Sequence, residues 1–183
     1  LNSILRHINA MDSRVVYPYF FMMLEMASTG EVSQDDVVEV ARIMESYLFR
    51  LKACQLPTNG LNRMVIALCD KTKAAGDYRA RLVSLLNTSF PDDKKFADSL
   101  MNVNLYSLRN NLAKLALVVL EESRTKETID FDDAQVEHIM PQRLNNDWRI
   151  ELPNANRINE ELGGVIGNLT LTKYNQEMGN KVF

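Results

Sequence analysis

Apolar residues recur at spacings of three and four over most of the first 127 positions. A chain with that period buries one stripe of each segment as an α-helix. Tyr19, Met22, Met23 and Met26 make the first such stripe, with Pro18 suited to the first turn, where a missing N–H leaves no bond unmade. Ser33-Gln34-Asp35-Asp36 sets a serine three residues before an acid, the mark of a helix N-terminus. The helix it opens carries Val37, Val40, Ala41, Met44, Leu48 and Leu51 on one face. Pro57-Thr58-Asn59-Gly60 interrupts the pattern before Leu61, Met64, Val65 and Leu68, and Gly76-Asp77 interrupts it again before Leu82, Leu85 and Leu86. Phe90-Pro91-Asp92-Asp93 is expected to be a turn that caps a short helix containing Phe96 and Leu100. A longer helix is expected to hold Leu105, Leu108, Leu112, Leu115 and Val119 inward. The nine methionines fall mostly on these faces and read as adaptable core filler, not as ligands.

The texture changes after Arg124-Thr125-Lys126-Glu127. Ile129-Asp130-Phe131 alternates, and Val136-Glu137-His138-Ile139-Met140 reads as a short strand stopped by Pro141. A polar stretch from Gln142 to about Leu162 reads as loop, with Trp148 as its packing anchor. Gly163-Gly164 is expected to be a turn with positive φ, and no Walker lysine follows to make it a phosphate loop. Val165 to Thr172, rich in β-branched residues, is the second strand candidate, and Tyr174 to Phe183 is expected to open a final helix. The fold expected is mainly α: a helical domain over 1–127, then a small α+β module over 128–183.

Composition narrows the function classes. With 46% hydrophobic and 25% charged residues, the chain has the balance of a globular domain. No run approaches the roughly 20 apolar residues of a membrane span, no signal peptide is visible, and a cytoplasmic protein is expected. The chain begins at Leu1 and reads as an excised piece of a longer protein. A net charge of −3 argues against a protein that coats nucleic acid, but not against an enzyme that meets DNA at one local site. From Gln142 to Lys181, Arg143, Arg149, Arg157, Lys173 and Lys181 are balanced by Asp147, Glu151, Glu160, Glu161 and Glu177, so no basic patch is visible. Cys54 and Cys69 form no C-x-x-C pair and read as buried thiols in a reducing compartment. His7 and His138 are the only histidines, so no structural zinc site is expected.

The chemistry concentrates at Glu137-His138-Ile139-Met140-Pro141, Gly167-Asn168-Leu169, and the two asparagines Asn175 and Asn180. Neighbours on a regular strand face opposite sides. Glu137 and His138 can therefore serve one site only if the strand bends or ends there, and Pro141, which cannot continue a ladder, makes such an end.

An acid-His-x-x-Pro segment, then Gly-Asn-Leu, then an asparagine resembles the ββα-metal signature of HNH (His-Me finger) nucleases. The segments Val136–Gln142, Trp148, Ile166–Thr172, Asn175, Asn180 and Phe183 are similar to the C-terminal nuclease half of GmrSD-type restriction systems. So are Glu45-Ser46-Tyr47-Leu48-Phe49-Arg50, Leu56-Pro57-Thr58-Asn59 and Phe90 to Phe96. The resemblance implies a helical bundle joined to a small ββα-metal module. It implies His138 as general base, since neutral imidazole accepts a proton near neutral pH. It implies Glu137 and either Asn175 or Asn180, with Asn175 preferred, as oxygen ligands of Mg²⁺ or Mn²⁺. Asn168 would be part of the catalytic set by bracing the loop that orients His138. DNA is the implied substrate, in restriction of foreign, base-modified DNA, and a ParB-like nucleotide-using N-terminal domain the implied companion. The rivals are a non-catalytic DNA- or protein-binding module with a degenerate finger, and a nuclease acting on RNA.

Overall fold

The computed structural model describes residues 1–72, 77–125 and 132–172, and the chain divides into two compact units, Leu1–Phe96 and Ala97–Phe183. The change from helix to strand near residue 127 therefore falls inside the second unit.

The first unit contains helices α1 (Asn2–Ala10), α2 (Tyr17–Ser28), α3 (Gln34–Ala53), α4 (Leu61–Thr72) and α5 (Tyr78–Leu86). Pro18 stands in the first turn of α2, and Ser33 and Asp36 close a reciprocal capping box at the start of α3. Asp77 caps α5 by accepting from the Ala80 N–H at 2.8 Å. Apolar spacing orients these helices: Val37, Val40, Ala41, Met44, Leu48 and Leu51 are all buried, as are Tyr19, Met22, Met23 and Met26. α3 packs against α1, α2 and α5, and α4 against α2 and α5. His7, itself buried, ties α1 to α3 through Nδ1 and Glu45 Oε1 at 2.5 Å. Cys54 and Cys69 are half-buried, not fully buried as expected.

The Phe90–Asp93 turn is docked on α3 by Arg50. Its guanidinium donates to the Pro91 carbonyl at 3.0 Å, pairs with Asp93 at 2.6 Å, and lies 5.5 and 4.7 Å from the ring centroids of Phe90 and Phe96. Asp92 accepts from the Lys95 N–H at 2.7 Å and so starts α6 (Asp93–Asn102), which carries the chain into the second unit.

In the second unit, the helix expected from Leu105 to Val119 is broken. Leu105–Ser107 is a single 3-10 turn, Asn110 and Asn111 take left-handed φ of 68° and 50°, and α7 begins only at Leu112, running to Arg124. Asparagine tolerates this conformation better than most residues, which lets two consecutive residues stop one helical phase and start another. The reset turns Val118 inward and leaves Val119 exposed at 41%, contrary to the expected stripe.

β1 (Gln135–His138) and β2 (Leu169–Thr172) form an antiparallel pair with His138 opposite Leu169 and Glu137 opposite Thr170. Both strands pack on α7. Among the described residues no strand precedes β1. The polar stretch from Gln142 to Leu162, expected to be loop, contains α8 (Asn146–Glu151) and α9 (Ala155–Leu162). Asn145 caps α8 through the Trp148 N–H at 3.1 Å, and Ala155 is buried on α9. The second strand is half its expected length. Ile166–Asn168 is a 3-10 turn, closed by the Asn168 N–H on the Val165 carbonyl at 2.9 Å. The Ile129–Phe131 alternation lies outside the described residues.

Candidate active site

β1 ends at His138, and the next two residues bend away from the ladder. One further backbone bond, Ile139 N–H to the Asn168 carbonyl at 2.9 Å, extends the pairing past the strand end. The Asn168 side chain then takes over: Oδ1 accepts from the Met140 N–H at 2.8 Å, while Nδ2 donates to the Met140 carbonyl at 3.0 Å and the Gly163 carbonyl at 2.8 Å. An amide with both ends engaged in this way fixes the chain on either side of Met140 relative to β2 and to the end of α9. Asn159 adds a bond from Nδ2 to the Pro141 carbonyl at 2.9 Å.

The glycines before Val165 are there for close approach, not for positive φ; among the described glycines only Gly30 has one. A Cβ on Gly163 would collide with the Asn159 carbonyl, and one on Gly164 with the Asn104 side chain. The Gly164 carbonyl accepts from the Tyr106 N–H at 3.2 Å, and Asn104 Oδ1 accepts from the Ser107 N–H at 2.9 Å. The 105–107 turn is thereby held against the strand end.

That turn delivers Tyr106 to His138. The two rings meet edge to face, with centroids 4.4 Å apart and planes at 75°. His138 Nε2 lies 3.3 Å from Gln142 Nε2. Burial pulls the His138 pKa below its ordinary value of 6.5, and the Glu137 carboxylate opposes this by favouring the charged ring. Strand alternation would place Glu137 on the opposite face, but its carboxylate turns back so that Oε2 accepts from the His138 N–H at 3.3 Å. The half-buried imidazole and the carboxylate are thus brought to one strand end.

Asn175 and Asn180 lie outside the described residues, as does the expected final helix. Among the described residues, no three His, Cys, Asp or Glu side chains converge. Glu137 is a hard oxygen donor of the kind Mg²⁺ or Mn²⁺ takes, and it fits such a centre as one ligand of a shell that others must complete. A groove of about 470 Å³ beside Asn168 is walled by Leu100, Met140, Ile158, Leu162, Val165 and Ile166. Those walls are apolar and offer a phosphate nothing. Tyr106, Gln142, Asn104 and Asn159 carried no sequence signal of their own as site residues, because their partners are distant in sequence or set by a turn.

The family model for the C-terminal domain of GmrSD restriction endonucleases matches residues 90–183. The chain belongs to that family, and the matched residues include the whole second unit. No curated protein and no solved structure matches the chain.

Proposed function

We propose that the chain is the nuclease part of a restriction endonuclease and that it hydrolyses DNA phosphodiesters with His138 as the general base. The observation that carries this is the arrangement at the end of β1: a half-buried imidazole, a carboxylate turned to the same strand end, and an asparagine side chain that holds the following loop from both sides. Burial keeps the imidazole neutral and able to accept a proton from water. Asn168 holds the loop that follows the base, so that His138 does not have to be positioned by substrate. In this reading residues 128–183 form a ββα-metal module of HNH type, and Glu137 with Asn175 or Asn180 would hold Mg²⁺ or Mn²⁺. When bound, such a cation supplies charge neutralisation at the phosphate and the leaving oxygen. The substrate is foreign DNA in a bacterial cytoplasm, and the companion is a ParB-like domain of the same protein. A plasmid-nicking assay on the full-length protein, with Mg²⁺ and with EDTA, tests it. Nicking is expected with Mg²⁺ and its loss with EDTA; unchanged nicking by a His138→Ala variant would favour the rival, a DNA- or protein-binding module.

A further inference from the structure

A general base needs one ring nitrogen with a free lone pair, and a neutral imidazole has only one such nitrogen, set by where its proton sits. In His138 the Nε2 position is already taken by Gln142 at 3.3 Å. If the Gln142 NH₂ group donates to Nε2, the ring proton sits on Nδ1 and neither nitrogen is open. If the amide makes a half-turn and presents Oε1, Nε2–H donates to it and the Nδ1 lone pair stays open. The two amide orientations have the same shape, so chemistry decides between them.

We propose that Gln142 is a positioning residue that sets the tautomer of His138: its amide oxygen accepts from Nε2–H and reserves Nδ1 as the atom that takes the proton from water. This rests on His138 being the base.

The surroundings favour a built contact over a chance approach. The backbone leading to Gln142 is held by Asn168 at Met140 and by Asn159 at Pro141, and Pro141 is buried. The side chain of Gln142 is therefore launched from a fixed point four positions after His138. On the ring itself, the Tyr106 edge contact leaves the imidazole plane little freedom to turn. Ring plane and ring proton are thus fixed by two different residues from two different turns. Both residues contact His138 itself, and in this reading both act through it.

The test uses the ¹⁵N-labelled chain without divalent cations, at alkaline pH where the ring is neutral. With two histidines in the chain, a His138→Ala spectrum assigns the signals by subtraction. His138 is expected to show a protonated, pyrrole-like Nε2 and a pyridine-like Nδ1. Gln142→Leu should give averaged tautomers, and Gln142→Glu, an acceptor only, should restore the Nε2–H form. In the full-length protein, Gln142→Leu should lower kcat by about 10- to 100-fold with KM for DNA unchanged, the usual cost of losing an orienting partner, and Gln142→Glu should recover most of it. A predominant Nδ1–H form in the wild type, or a tautomer ratio untouched by Gln142→Leu, overturns the proposal. So does an unchanged kcat in Gln142→Leu beside an inactive His138→Ala. If His138→Ala itself remains active, the assignment of the base has failed, whereas the ring spectra still decide what Gln142 does.

Discussion

Asn168 holds Met140 by both of its backbone groups, Oδ1 on the N–H at 2.8 Å and Nδ2 on the carbonyl at 3.0 Å. Side chains that pair with one residue's N–H and C=O together mimic a β-strand partner, and here the mimic begins where the real ladder stops. The result extends the reach of β2 past the bend that follows His138.

Replacing that side chain should therefore act on fold and chemistry together. Asn168→Ala leaves the Met140 N–H and the Met140 and Gly163 carbonyls unpartnered by the side chain, at an expected loss of about 1–3 kcal/mol of stability. Asn168→Asp keeps the acceptor but sets a carboxylate against two carbonyls, and should be no better. Chemical denaturation followed by nicking at a temperature where both variants are folded separates the two effects. Wild-type stability in Asn168→Ala would show that the brace is idle.

Gly164 offers a second check on the same corner. An alanine there would drive its Cβ into the Asn104 side chain, an overlap that costs about 1–3 kcal/mol in a packed site. Asn104→Ala makes room but removes the bond to the Ser107 N–H. The double variant is expected to lose less than the sum of the singles. Additive losses would mean that the clash is relieved elsewhere.

How much of this was legible in residues alone depends on how local the cause is. The stripes of α2 and α3 and the Ser33 cap are set within a few positions, and periodicity finds them. α8 and α9 have six and eight residues in a polar stretch, too short for a stripe to stand out, although Asn145 before α8 is a capping residue. The single long helix from Leu105 failed at Asn110-Asn111, a pair whose left-handed turn overrides a spacing that would otherwise continue. In sequence the glycine pair suggests only a turn, because collision with Asn104 and the Asn159 carbonyl is visible only once the chain is folded. At the site, Pro141 predicts a strand that runs to Met140, but β1 stops two residues sooner, at His138, and Tyr106 and Gln142 are placed by turns that no spacing predicts.

Arg50 predicts a contrast within the first unit. Its side chain is 19% exposed and engages Pro91, Asp93, Phe90 and Phe96 at once, whereas the Asp93 side chain is 93% exposed. Asp93→Ala should cost less than about 1 kcal/mol, as exposed ion pairs do. Arg50→Ala should cost about 2–3 kcal/mol, and Arg50→Lys should recover little, since an ammonium lacks the planar fork that bonds and stacks together. Equal effects of Asp93→Ala and Arg50→Ala in urea denaturation would put the energy in the ion pair instead.

The shifted imidazole has a sign that can be measured. Burial disfavours the charged ring of His138, so its titration midpoint in the chain without divalent cations should fall below the ordinary value of 6.5. Glu137 raises it, so Glu137→Gln should lower the midpoint further. The unfolded chain then takes up the proton at a higher pH than the folded one. His138 thus costs no stability above about 6.5, and stability is lost as pH falls from there through the folded midpoint. Ring-proton NMR resolves this, with His7 as the one other histidine. A midpoint above 6.5, or one raised by Glu137→Gln, contradicts the assignment.

His138→Ala is the decisive substitution for the proposed chemistry. A general base lowers the barrier and contributes little to ground-state binding, so its loss should appear in kcat by at least about 10²–10⁴-fold, with DNA binding nearly unchanged. The fold should survive, because His138 is half-buried at a strand end and its backbone pairing does not depend on its ring. Glu137→Ala should behave differently: activity should fall yet partly return at high Mn²⁺, since a lost ligand weakens a metal without removing a base. The two variants separate the roles only if circular dichroism shows both folded and filter binding shows both still hold DNA. Under those conditions, a His138→Ala protein that cuts as fast as wild type would reduce His138 to a strand residue beside Tyr106. A Glu137→Ala protein unresponsive to Mn²⁺ would leave the carboxylate with the work the structure already displays, turning back on the His138 N–H at the end of β1.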